Sequence, residues 1–111
     1  NNGVVVSNGS DCPVELPYVM GGIQCAVTRK PLKDVEGKLV YLQEEAFTVK
    51  EAIDSYTVQG ARASFEEEKK GKIKEGMFAD YVILDENLFE VSKERIKEVK
   101  ILETYLGGKL V

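Results

Sequence analysis

Histidine is absent from the 111 residues. That removes the commonest general base, the commonest zinc ligand and every Ser-His or Cys-His nucleophile pair. Cysteine occurs only at Cys12 and Cys25, too few for a disulfide scaffold and at a spacing that matches no zinc motif. Both are expected to be small buried or half-buried thiols. Little points to secretion, so the chain is expected in the cytoplasm. No apolar run approaches the roughly 20 residues of a membrane span, and no basic, then apolar, signal segment opens the chain, so no membrane partner is expected. Basic residues are outnumbered: 15 Lys and Arg against 19 Asp and Glu leave a net charge of −4, and no nucleic-acid partner is expected. The phosphate-cradling pattern G-x-x-x-x-G-K-S/T and the nucleophile-elbow pattern G-x-S-x-G are also missing, which leaves Ser10 outside any elbow.

What is present describes one soluble domain. Hydrophobic residues make up 43% and charged residues 31%, a mix that argues against general disorder. Val4-Val5-Val6 is a short β-branched run that suits a strand buried on both faces. Asn8-Gly9 marks the turn that ends it. Asp11 then sits just past the strand's C-terminal end, where parallel α/β folds place their chemistry.

The spacing of Val19, Ile23, Ala26 and Val27 predicts a helix from Pro17 to Arg29, with Pro17 in the first turn and Pro31 as the stop. Gly21-Gly22 weakens its interior by roughly 1 kcal/mol per glycine relative to Ala. Residues 30–47 form a polar connection with a short helix or turn near Glu44-Glu45. A second helix is expected from Thr48 to about Phe65. Thr48 and Glu51 make a T-x-x-E capping box, in which each side chain satisfies a backbone N–H at the helix start. Val49, Ala52, Ile53, Tyr56 and Ala63 supply its inward stripe, and Gly60 on that face implies close approach to a neighbour. The charge run from Glu66 to Lys70 reads as a solvated helix end.

Beyond it the pattern becomes that of strands. Gly71 and Gly76 suit turns with positive φ, and Ala79 to Asp85 has strong β propensity. Ser92 to Glu98 is expected to form one or two helical turns, and Val99 to Leu106 another strand. Gly107-Gly108 is a two-residue hairpin signal leading into Lys109-Leu110-Val111. Asp80 is expected to bond turn backbone N–H groups rather than to catalyse. Arg29 and Arg62 suit surface ion pairs or contact with a substrate carboxylate.

Three blocks in this order resemble the carboxy-terminal part of metal-dependent amidohydrolases. They are Gly9-Ser10-Asp11-Cys12-Pro13-Val14, then the helix from Thr48-Val49-Lys50-Glu51-Ala52 to Gly60-Ala61-Arg62-Ala63, then the pattern G-x-I-x-x-G-x-x-A-D-x-V-x-L from Gly71 to Leu84. Thr104, Gly108, Lys109 and Val111 add a fourth match. Ala26-Val27-Thr28-Arg29 is similar to the branch that includes N-substituted formamide deformylases and exoenzyme regulatory proteins.

The resemblance implies an α/β fragment. Residues 1–70 would be the last strand and helices of a (β/α)8 barrel, and residues 71–111 the C-terminal half of a small β-sandwich. In isolation the chain would be a mixed α+β domain. The resemblance also implies that Asp11 is both a catalytic residue and a metal ligand, taking a proton from metal-bound water and passing it to the leaving nitrogen. Read alone, an aspartate after a strand also fits an Asx-turn or a helix cap. The family's other ligands, an H-x-H pair among them, lie upstream, so a divalent metal, zinc foremost, is expected in the full-length parent and none on the fragment. The substrate would be a small molecule of the amide type. The alternative is a non-catalytic interaction or regulatory module. An edge strand without neighbours favours association, and the fragment is expected to form a homo-oligomer.

Overall fold

A computed structural model describes residues 2–33, 36 and 38–111. Three α-helices, α1 (Val19–Thr28), α2 (Val49–Tyr56) and α3 (Val58–Ala63), precede three strands, β1 (Tyr81–Leu84), β2 (Ile101–Leu106) and β3 (Lys109–Leu110). A single 3-10 turn lies at Gln43–Glu45, and a two-turn 3-10 segment at Lys93–Glu98. The fold is therefore a small mixed α/β arrangement with one antiparallel sheet, ordered β1-β2-β3.

The core is built where α1 packs against α2 and against the Lys93–Glu98 turn. Met20, Ile23 and Val27 of α1 are buried with Ala52 of α2 and with Leu88, Ile96 and Val99. Ala52 and Ile96 are fully inaccessible. These residues come from both sides of position 70, so a single core spans the two segments expected from the resemblance.

Helix α1 starts at Val19 rather than at Pro17. The Tyr18 amide turns back to the Leu16 carbonyl at 2.7 Å, a three-residue turn centred on Pro17 that delays the helix. Its end is marked by Arg29 in the left-handed region, φ 56°, whose amide caps the Cys25 carbonyl, and Pro31 follows as a helix-stopping residue. The capping box at the start of α2 is complete, with Thr48 Oγ1 accepting from the Glu51 amide and Glu51 accepting from the Thr48 amide.

The expected single helix from Thr48 to Phe65 is broken at Thr57, with φ −125° and ψ −87°. The Thr57 hydroxyl donates to the Ile53 carbonyl at 2.8 Å, a side-chain bond that competes with continuation of the helix. The break shifts the inward face: Ala61 is buried and Ala63, placed on the stripe by periodicity, is exposed. Gly60 meets the N-terminal segment there, since a Cβ on it would lie 3.6 Å from Ser7 Oγ.

Val4–Val6 belongs to no sheet among the described residues, and it is exposed rather than buried on both faces. A strand exists only through a partner's N–H and C=O groups, and none lies alongside it here.

In the sheet, Tyr81 pairs with Tyr105 and Val82 with Thr104, and a bulge shifts the register between Ile83 and Leu84. Tyr81 and Tyr105 stack with ring centroids 4.7 Å apart. Gly107 and Gly108, φ 58° and 77°, turn the chain into β3, the conformation of a primed hairpin turn. Asp80 Oδ1 accepts from the Gly107 amide at 2.8 Å, so its carboxylate holds a turn as expected. Gly71 and Gly76 also have positive φ, at 102° and 89°.

Candidate active site beside Asp11

Asp11 lies at the first position of a turn that closes when the Val14 amide donates to the Asp11 carbonyl at 2.8 Å. The Cys12-Pro13 bond within this turn is cis, and Asp11 itself takes φ 51°. Aspartate tolerates the left-handed region better than most residues. Its side chain is exposed, and so is Cys12, which corrects the expectation of two buried or half-buried thiols.

The segment that carries Asp11 is tied to α2. The Asn8 amide donates to the Ser55 carbonyl at 3.1 Å, and Asn8 Nδ2 donates to Ser55 Oγ at 3.0 Å. Ser55 is buried, and its hydroxyl donates in turn to the Ala52 carbonyl at 2.7 Å.

A cleft of about 900 Å³ opens between this segment and α1. Its wall includes Asn8 to Ser10 and Pro13 to Leu16, while Asp11 and Cys12 between them do not line it. Tyr18, Phe47 and Tyr56 give it an aromatic lining. Gly21 and Gly22 shape the α1 side: a Cβ on Gly21 would stand 2.8 Å from Leu32 Cδ1, and one on Gly22 would stand 3.0 Å from Tyr56 Cζ. From the sequence these glycines read only as helix weakeners. Paired glycines in a helix interior are the signal that side chains from elsewhere lie close.

Burial shifts two of the titratable groups that line the cleft. Burial pushes the Cys25 thiol up, an environment that disfavours the thiolate and hence nucleophilic chemistry. Burial likewise pushes the Tyr56 hydroxyl up. Arg29 also lines the cleft, but its Nε donates to the Tyr41 carbonyl at 2.8 Å while its own carbonyl accepts the Tyr41 amide at 2.9 Å. Its guanidinium thus closes the loop after α1. Arg62 lies exposed on α3. Asp80 and Asp11 are not brought together: Asp80 sits at the hairpin, beside a separate hollow of about 400 Å³.

A catalytic zinc takes three protein ligands and a water. Among the described residues no group of three or more Cys, Asp or Glu side chains is placed to hold a metal ion. Asp11 alone does not fit one, and the described residues place no further ligands beside it.

Residues 1–111 match the Amidohydrolase family over their whole length. YtcJ of Bacillus subtilis (strain 168), classed as an amidohydrolase, is 33% identical over 111 residues, which is 100% of this chain and 21% of that protein. Protein LONG AFTER FAR-RED 3 of Arabidopsis thaliana is 30% identical over 109 residues, covering 98% of this chain and 18% of the plant protein. An N-substituted formamide deformylase of Arthrobacter pascens is 33% identical over 67 residues, 60% of this chain and 12% of the enzyme. The chain thus spans about a fifth of the length of the first two relatives. No solved structure matches it.

Proposed function

The chain belongs to the Amidohydrolase family, and we propose that it is the carboxy-terminal part of a hydrolase of carbon–nitrogen bonds other than peptide bonds, such as amides or formamides. The observation that carries this reading is the family match over all 111 residues. The deformylase relative supports a formamide among the substrates. In the parent, residues 1–70 close the hydrolase barrel and residues 71–111 complete a composite β-sandwich. The exposed, apolar Val4–Val6 segment, outside any sheet of the described residues, suits a barrel strand whose neighbours come from the rest of the parent.

Asp11 is the residue of this chain that handles the proton. Its exposure leaves the carboxylate open to water and to a substrate's leaving nitrogen. It takes a proton from the attacking water as the C–N bond is attacked and delivers it to the departing amine, the two halves of general acid–base catalysis. Asp11 would also supply one ligand to a divalent metal, zinc foremost, whose remaining ligands would come from the rest of the parent. When bound, such a metal lowers the pKa of water from about 15.7 to about 7. The fragment alone is inactive because it has the proton carrier without that centre. The cytoplasm is its proposed location.

The test is an assay of the purified full-length parent on a panel of amides and formamides, before and after chelation. Release of amine that stops on chelation and returns with added zinc is the expected result. Absence of release from every substrate, with metal bound, would leave the interaction-module reading in its place.

A further inference from the structure

We infer that Asn8 and Ser55 are a positioning pair for Asp11, acting through the segment that joins them to it. The inference rests on the reading of Asp11 as the proton carrier, and it assigns a role to two residues that do not touch substrate.

The reasoning begins at the helix break. Ser55 lies in the last turn of α2, where carbonyls lose their partners four residues on. The non-helical Thr57 interrupts the ladder after it, and the Ser55 carbonyl is taken instead by the Asn8 amide at 3.1 Å. The side chains repeat the connection, Asn8 Nδ2 to Ser55 Oγ at 3.0 Å. Ser55 is a fixed point for both bonds, being 1% exposed and held to the Ala52 carbonyl at 2.7 Å.

Among the described residues, no such pair of bonds holds the stretch from Val4 to Ser7. Val4, Val5 and Val6 are exposed and outside the sheet. Gly9 has open space where a Cβ would stand. From Asn8 only Gly9 and Ser10 intervene before Asp11, where the turn bond from the Val14 amide begins. The doubled bond therefore sets where the turn starts relative to α2, and with it where the Asp11 carboxylate sits. Proton transfer needs heavy atoms within about 3 Å, and a displacement of about 1 Å costs on the order of a hundredfold in rate. Loosening one of two bonds is expected to cost about a tenth of that rate factor, near tenfold.

The experiment uses the full-length parent with Asn8→Ala, Ser55→Ala, the double variant and Asp11→Asn. Asn8→Ala and Ser55→Ala are each expected to lower kcat about tenfold with KM little changed, because the loss falls on the reacting geometry. The double variant is expected to be no worse than the weaker single one, since both remove the same bond. Deuterium uptake should rise at residues 8–14 in Asn8→Ala and stay unchanged in α1. Should the buried Ser55→Ala prevent folding, Asn8→Ala with its exchange pattern carries the test. Wild-type kcat in Asn8→Ala, alongside an inactive Asp11→Asn, overturns the inference and leaves the role of Asp11 standing. Additive losses in the double variant also overturn it. Wild-type turnover in Asp11→Asn removes the reading beneath it.

Discussion

Gln24 Oε1 accepts the backbone amide of Lys97 at 2.8 Å, joining α1 to the Lys93–Glu98 turn across 73 positions of sequence. Gln24 is a buried polar residue on a largely apolar helix face. Its amide thus does what a core side chain cannot, satisfying an N–H of the turn that supplies Ile96 to the core. Replacing Gln24 with Leu keeps the volume and strands that N–H, which should cost about 1–3 kcal/mol. A urea midpoint lowered with an unchanged slope would show it; an unchanged midpoint would mean that water replaces the bond.

Gly71 and Gly76 separate two effects of added side chains. Both have positive φ, so an alanine at either is strained by about 1–2 kcal/mol. At Gly76 the space is open, whereas at Gly71 a Cβ would stand 2.9 Å from Ala61 Cβ and 3.1 Å from Val58 Cα. Gly71→Ala should therefore lower the melting temperature clearly more than Gly76→Ala. Equal losses would mean that α3 moves aside without cost.

The capping box gives a pH-dependent contribution. The Thr48 backbone amide, and after it the Thr48 hydroxyl, hold the Glu51 carboxyl below the usual glutamate range. A native value below the unfolded one stabilises the fold at neutral pH. The contribution is lost as pH falls from about 4.3, the unfolded value, through the lower native one. Glu51→Gln should accordingly be less stable than the wild type at pH 7, with the gap closing under acid. A gap that stays constant down to the acid limb would refute the assignment.

These elements differ in how far they could be read in advance. The Thr48–Glu51 box and the Gly107-Gly108 hairpin are local: their partners lie within a few positions, so their residue types declare them. The Asp80 bond to Gly107 was legible as a role, though not as a partner. The break at Thr57 was not, because threonine is only a mild helix opponent and its hydroxyl's choice of acceptor depends on surrounding packing. The Val4–Val6 run has strand composition, but a strand requires neighbours that these residues do not include. The link from Asn8 to Ser55 spans 47 positions, and no single-sequence pattern marks such a pair. Asp11 stands out in the sequence by its position after an apolar run and by family resemblance, whereas the turn closed by the Val14 amide comes only with the fold.

The sheet suggests how the isolated chain behaves. Val82, Ile83, Leu102, Leu106 and Leu110 are 41–65% exposed, an apolar load that favours association when a covering layer is missing. The 111-residue chain on its own should therefore sediment as a dimer or larger species, and Leu102→Lys should shift it toward monomer. A monomer at high micromolar concentration would contradict this.

The most direct measurement is the turnover of the full-length parent carrying Asp11→Asn, on whichever amide or formamide it hydrolyses best. The substitution keeps the side chain's size and its turn while removing the carboxylate proposed to carry the proton. A fall in kcat of about 10²–10⁴-fold, the usual share of general acid–base catalysis, with an unchanged melting temperature is the predicted result. Turnover at the wild-type rate would show that the proton travels by another group.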